Sequence, residues 1–203
     1  MTWLVTGGAG YIGSHVVRAL RSADLQCVVI DDLSSGHEQF VPRDVPFVLG
    51  TILDGSLVLQ TLQDYEVTGV IHVAGFKYAG VSVQEPLRTY EQNVTGTARL
   101  LAAMESADVD RIVFSSSAAV YGTPDTDLVT EETPKNPQSP YGESKLIGEW
   151  LLADQGVARG LQPPRNAQEL ADDGPEQHRA RDKTEQRQRE HGERGLDAPA
   201  IQH

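Results

Sequence analysis

A β-branched, apolar run, Thr2-Trp3-Leu4-Val5-Thr6, breaks into Gly7-Gly8-Ala9-Gly10-Tyr11-Ile12-Gly13. A helical pattern follows, with Ile12, Val16, Val17 and Leu20 expected on one apolar stripe. Strand, glycine turn and helix in this order form a dinucleotide-binding unit: Gly7 permits the tight turn, Gly10 lets the backbone approach a pyrophosphate, and Gly13 lets helix and strand pack closely. The pyrophosphate then rests on the free N–H groups at the helix N-terminus. A second strand, Gln26-Cys27-Val28-Val29-Ile30, ends in Asp31-Asp32. An acid about 20 residues past the turn is placed to accept the adenosine ribose hydroxyls. Its charge repels a 2′-phosphate, and no Arg directly follows it, so the turn predicts NAD over NADP.

The rest of the chain to about residue 157 alternates in the same way. Val70–Val73 and Arg111–Phe114 read as buried strands, while Asp54–Asp64 and Gln84–Ala107 read as helices. Such alternation predicts an α/β fold, a doubly wound parallel sheet with helices on both faces. Composition narrows the function. A net charge of −12 over 203 residues argues against nucleic acid as a partner. No apolar run is long enough to span a bilayer, so no membrane role is expected. The one cysteine, Cys27, excludes an intrachain disulfide and fits a reducing compartment such as the cytoplasm. The six histidines show no metal-ligand spacing, and His72 is expected to pack within its strand.

A second motif supplies the chemistry. Tyr141 and Lys145, in Ser139-Pro140-Tyr141-Gly142-Glu143-Ser144-Lys145, lie four residues apart and thus on one face of a helix. A free phenol ionises near pH ~10, and a neighbouring ammonium favours the phenolate. The pair predicts a tyrosine acid/base beside a redox-active cofactor.

These motifs, together with Asp31–Gly36, His72–Lys77, Gly80–Val83, Asn93–Thr97 and Phe114–Gly122, resemble in order those of the extended short-chain dehydrogenase/reductases, closest to their sugar-nucleotide 4-epimerases. The resemblance covers residues 1 to about 160. It implies epimerisation at C4 of a UDP-sugar (UDP-glucose or UDP-galactose) by transient hydride transfer to NAD. It implies that Gly7, Gly10 and Gly13, with the amides of Tyr11 and Ile12, bind pyrophosphate. Asp31 would hold the ribose, and Ala74, Gly75 and Phe76 would line the cofactor path. Lys77 would sit near the nicotinamide ribose or pyrophosphate, and Asn93 would support the dinucleotide from its helix. Ser117 would hydrogen-bond the sugar, with Tyr141 as base and Lys145 as its partner. A homodimer through the helices at 84–107 and 140–155 is also implied.

The family usually carries an Asp near the adenine where this chain has Thr51, followed by Ile52; a hydroxyl there predicts weaker cofactor binding. Ala118 and Ala119 supply no acid beside Ser117, which disfavours a dehydratase. Residues 161–203 are polar, hold no aromatic residue or valine, and are expected to form a disordered tail. In this reading 1–160 is the NAD-binding domain, and the sugar-nucleotide domain is absent through truncation or a shifted reading frame. A catalytically inactive NAD-binding remnant, or a related dehydratase or reductase, stands as the alternative.

Overall fold

The computed structural model describes residues 1–160; the expected tail, 161–203, lies outside the described residues. Five parallel strands, β1 (Thr2–Thr6), β2 (Gln26–Asp31), β3 (Phe47–Leu49), β4 (Val67–His72) and β5 (Ile112–Phe114), lie in the order β3-β2-β1-β4-β5. The order reverses at β1, whose neighbours are β2 and β4, so a crevice opens there beyond the strand C-termini. The Rossmann-like α/β fold expected from the alternation is present.

The helices are α1 (Tyr11–Ser22), α2 (Gly55–Asp64), α3 (Ala79–Ser82), α4 (Pro86–Tyr90), α5 (Gly96–Ser106) and α6 (Pro140–Ala158). Their starts are chemically marked. Asp54 caps α2, its Oδ1 accepting from the amides of Ser56 (3.1 Å) and Leu57 (3.0 Å). Ser139 caps α6 by accepting from the Gly142 amide at 3.2 Å, and Pro140 occupies the first turn, where its missing N–H costs nothing. The helix expected over 84–107 is interrupted: α4 passes through one π turn, Glu91–Thr95, before α5.

Successive strand residues face opposite sides of the sheet, and two cores result. Leu4, Val28, Ile30 and Val70 pack with Val58 and Leu62 of α2, Leu100 and Met104 of α5, and Leu151 and Leu152 of α6. Val5, Cys27 and Val29 pack on the other side with Val17 and Leu20 of α1. The buried stripe of α1 is Gly13, Ser14, Val17 and Leu20. Ile12, expected on that stripe, is instead 57% exposed, because the helix turns its first residues toward the crevice.

Candidate active site at the switch point

Gly7 has φ +72°, and a Cβ on it would lie 2.8 Å from the Ala74 amide nitrogen. A Cβ on Gly13 would lie 2.1 Å from the Gly7 carbonyl oxygen. Both positions therefore exclude a side chain, as the motif predicts. Gly10 differs: only the Gly7 carbonyl oxygen, at 3.3 Å, comes near a Cβ placed there, and the space beyond is open. No side chain caps α1, so its first N–H groups are available to an anion.

Asp31 fastens this turn to β2. Its Oδ2 accepts from the Ala9 amide at 2.9 Å and its Oδ1 from the Leu33 amide at 2.8 Å. A carboxylate has about four acceptor sites, so two remain for a ribose. Thr51 accepts from the Leu53 amide at 3.3 Å and keeps its hydroxyl proton to donate.

Across the crevice, β4 ends in a buried relay. His72 lies 2.7 Å from the Thr6 hydroxyl through Nδ1 and 3.0 Å from the Thr97 hydroxyl through Nε2. Thr97 donates its own proton to the Asn93 carbonyl at 2.5 Å. It must then accept from His72 Nε2–H, which assigns the tautomer and makes Thr6 the donor to Nδ1. The Thr6 oxygen in turn accepts the amides of Val73 and Ala74, each at 3.2 Å. Burial holds the His72 pKa down at about 3, so the ring is a neutral strut. It is packed in its strand as expected, and also bonded on both sides.

Asn93 sits in the π turn, buried, and clamps the crevice wall at Phe76 from beneath. Its Oδ1 accepts from the Phe76 amide at 2.6 Å, and its Nδ2 donates to the Phe76 carbonyl (3.0 Å) and to Ser144 Oγ of α6 (2.8 Å). Tyr90 donates to Glu143, which pushes the Tyr90 phenol up to about 12. The Tyr141 amide donates to Ser82 Oγ at 3.1 Å. Three bonds thus fix the first turn of α6 against α3, α4 and the π turn. Lys145, buried, donates to the Ser115 carbonyl at 2.9 Å and stands 6.0 Å from the Tyr141 ring centre. Burial draws its pKa down to about 8.

The crevice encloses about 470 Å³, within the range of about 300–1,000 Å³ typical of small-molecule sites. It brings together Gly7, Gly10, Tyr11, Ile12, Gly13, Asp31, Thr51, Ile52, Ala74, Gly75, Phe76, Lys77, Tyr141 and Lys145. Asn93 lies beneath the lining and acts through Phe76. Ser117 also stands outside the lining, where it caps a short turn by accepting from the Ala119 amide at 3.2 Å. A hollow of about 810 Å³ beside residues 33–47 is larger but contains neither the glycine turn nor the Tyr–Lys pair. The lining also includes Arg88 and Gln92, which no motif contains. Arg88 pairs with Glu85 at 2.8 Å and lies over the Phe76 ring at 5.1 Å, a placement no local pattern encodes.

A parallel sheet with a glycine turn at its switch point, facing a Tyr–Lys pair, defines a Rossmann-like fold. The NAD dependent epimerase/dehydratase family matches residues 3–163, and the chain belongs to it. It is 46% identical over 158 residues to the UDP-glucose 4-epimerase of Azospirillum brasilense, covering 78% of this chain and 45% of that one. The solved UDP-glucose 4-epimerase of Brucella ovis in complex with NAD superposes with a TM-score of 0.77 at 43% identity, covering 79% of this chain and 49% of that one. The enzyme of Thermotoga maritima with UDP-glucose gives 0.76 at 34% identity, covering 79% and 53%. The chain spans about half the length of these relatives.

Proposed function

We propose that residues 1–160 are the NAD-binding domain of a UDP-sugar 4-epimerase, with Tyr141 as its acid/base. The observation that carries this reading is the convergence of Tyr141 and Lys145 on the crevice floored by Gly7, Gly10 and Gly13. The uncapped α1 terminus, the open space at Gly10 and the remaining acceptor sites of Asp31 fit a dinucleotide. Bound NAD would supply the hydride acceptor and donor. Tyr141 as phenolate takes the proton from the sugar 4-hydroxyl and, once the 4-keto sugar has turned over in the site, gives it back to the O4 oxygen, so that hydride would return to the opposite face of C4. Lys145, in its ammonium form, offsets the phenolate charge. Ser117 passes the proton or orients the hydroxyl. Lys77, in the crevice lining, would sit near the nicotinamide ribose or pyrophosphate.

The homodimer expected through 84–107 and 140–155 belongs to this proposal. The exposure of Leu87 (84%) and Trp150 (56%) on those helices supports it. A cytoplasmic setting is also part of this proposal, supported by the single buried free thiol, Cys27. No helix among the described residues is long and apolar enough to cross a membrane.

The test is NAD content of the purified chain together with conversion of UDP-galactose to UDP-glucose. Turnover that vanishes in Tyr141→Phe establishes the epimerase. The alternative reading is a domain that binds NAD without turnover. Bound NAD with no product would select that one.

A further inference from the structure

The chain leaving β5 is pressed against α6 along a single stripe. A Cβ on Gly142 would lie 2.6 Å from the Ala119 carbonyl oxygen, and one on Gly148 would lie 2.6 Å from the Phe114 ring. These glycines set the separation of helix and loop. Register along the helix is set by two polar contacts. Lys145 donates to the Ser115 carbonyl at 2.9 Å, and Ser116 Oγ donates to Glu149 Oε1 at 2.5 Å. Residues one turn apart on the helix thereby grip consecutive residues of the loop, about 6 Å of helix against one peptide unit.

Ser117 comes next and bonds to no residue of α6. Its oxygen accepts from the Ala119 amide, and its hydroxyl proton has no acceptor among the described residues. The second Glu149 oxygen accepts from Lys135 at 2.5 Å. Both carboxylate oxygens are thus engaged by the serine loop and by the segment that follows it, with neither committed to Lys145. Burial alone accounts for the lowered Lys145 pKa.

We propose that Glu149 is a positioning residue which, through Ser116, fixes where the Ser117 hydroxyl meets the sugar. The inference rests on the role given to Ser117 above. It makes Ser116 an anchor with a defined partner, and it assigns Glu149 a place in the reaction as the hydrogen-bond acceptor of Ser116, its second oxygen being held by Lys135.

The test uses the full chain with Glu149→Ala, Glu149→Gln, Ser116→Ala and the Ser116→Ala/Glu149→Ala double variant. Amide exchange at Ala119 and Val120, whose N–H groups bond to Ser117, is followed against Val28 in β2. Glu149→Ala should speed exchange at Ala119 and Val120 by about tenfold or more and leave Val28 unchanged. It should lower kcat by about tenfold or more with KM within about twofold, the pattern of a lost transition-state contact. Glu149→Gln, which still offers an acceptor, should restore both readouts to within about threefold. Ser116→Ala should match Glu149→Ala, and the double variant should add nothing, as expected for one shared interaction. Unchanged exchange in Glu149→Ala, damage in Glu149→Gln equal to that in Glu149→Ala, or simple additivity would each overturn the proposal. If the parent chain has no turnover, exchange and additivity still decide, so failure of the epimerase reading is told apart from failure of this one. If Glu149→Ala loses protection at Val28 as well, the volume-conserving Glu149→Gln and the small change Ser116→Ala carry the decision.

Discussion

The two faces of the sheet are unequally covered. Leu4, Val28, Ile30 and Val70 meet α2, α5 and α6, while Val5, Cys27 and Val29 meet α1. The inequality is greatest at β5. Phe114 lies against Gly148 of α6 on the thick side, whereas Val113, its neighbour on the opposite face, is 55% exposed. The proposed chemistry follows the thick side. Tyr141, Lys145 and Glu149 come from α6, Asn93 from the turn leading to α5, and His72 faces Thr97 of α5. Groups that must hold a geometry sit where three helices brace them. The thin side, near the glycine turn, supplies backbone N–H groups, which need only one helix to aim them.

The sharpest way to break this contrast is at Tyr141. Tyr141→Phe removes the acid/base without changing the packing of α6, so turnover should fall by about 10²–10⁴-fold with NAD content unchanged. Assaying both on one preparation checks it. Next, Leu100→Ala hollows the thick side at a fully buried position and should cost about 2–5 kcal/mol in chemical denaturation.

Two buried bases on the thick side should also make stability depend on pH. The folded pKa of His72 is about 3 against an ordinary 6.5, so the unfolded chain binds the extra proton. Its contribution to stability is fully present above pH 6.5 and is lost as the pH falls toward 3. Lys145 has a folded pKa of about 8 against 10.5, so its burden on stability is present below pH 8 and lifts as the pH rises to 10.5. Lys145→Met should therefore raise the melting temperature at pH 7 while abolishing turnover, and melting curves across pH 7–11 should lose the rise attributable to Lys145. An unchanged or lower melting temperature at neutral pH would contradict this burial argument. The smallest effect is expected on the thin side: Val113→Ser should change stability by no more than about 0.5 kcal/mol.

Much of this fold could be read from the sequence because its signals are local. The glycine spacing and the acid after β2 each depend on a few adjacent residues. The Tyr–Lys pair is local in the same sense, since four residues on a helix fix a shared face. What escaped were contacts made at a distance. Ser116 meets Glu149 across 33 positions and Asn93 meets Ser144 across 51, and neither follows from any periodicity. Ile12 has the helical spacing of the buried stripe. The first turn of α1 instead faces the crevice, which spacing alone does not encode. Arg88 entered the crevice through stacking on Phe76, a contact that depends on how α4 is docked.

The π turn at Glu91–Thr95 accommodates one more residue than an α-helical turn would. Its two flanks are consequently out of phase: α4 is oriented by Tyr90 toward α6, and α5 by Leu100 toward the sheet. A single-codon deletion inside 91–95 would rejoin them as one regular helix and rotate either Asn93 or Leu100 off its target. Between these helices the reading frame of the fold is counted in single residues, so substitutions would be tolerated there more readily than any change in length.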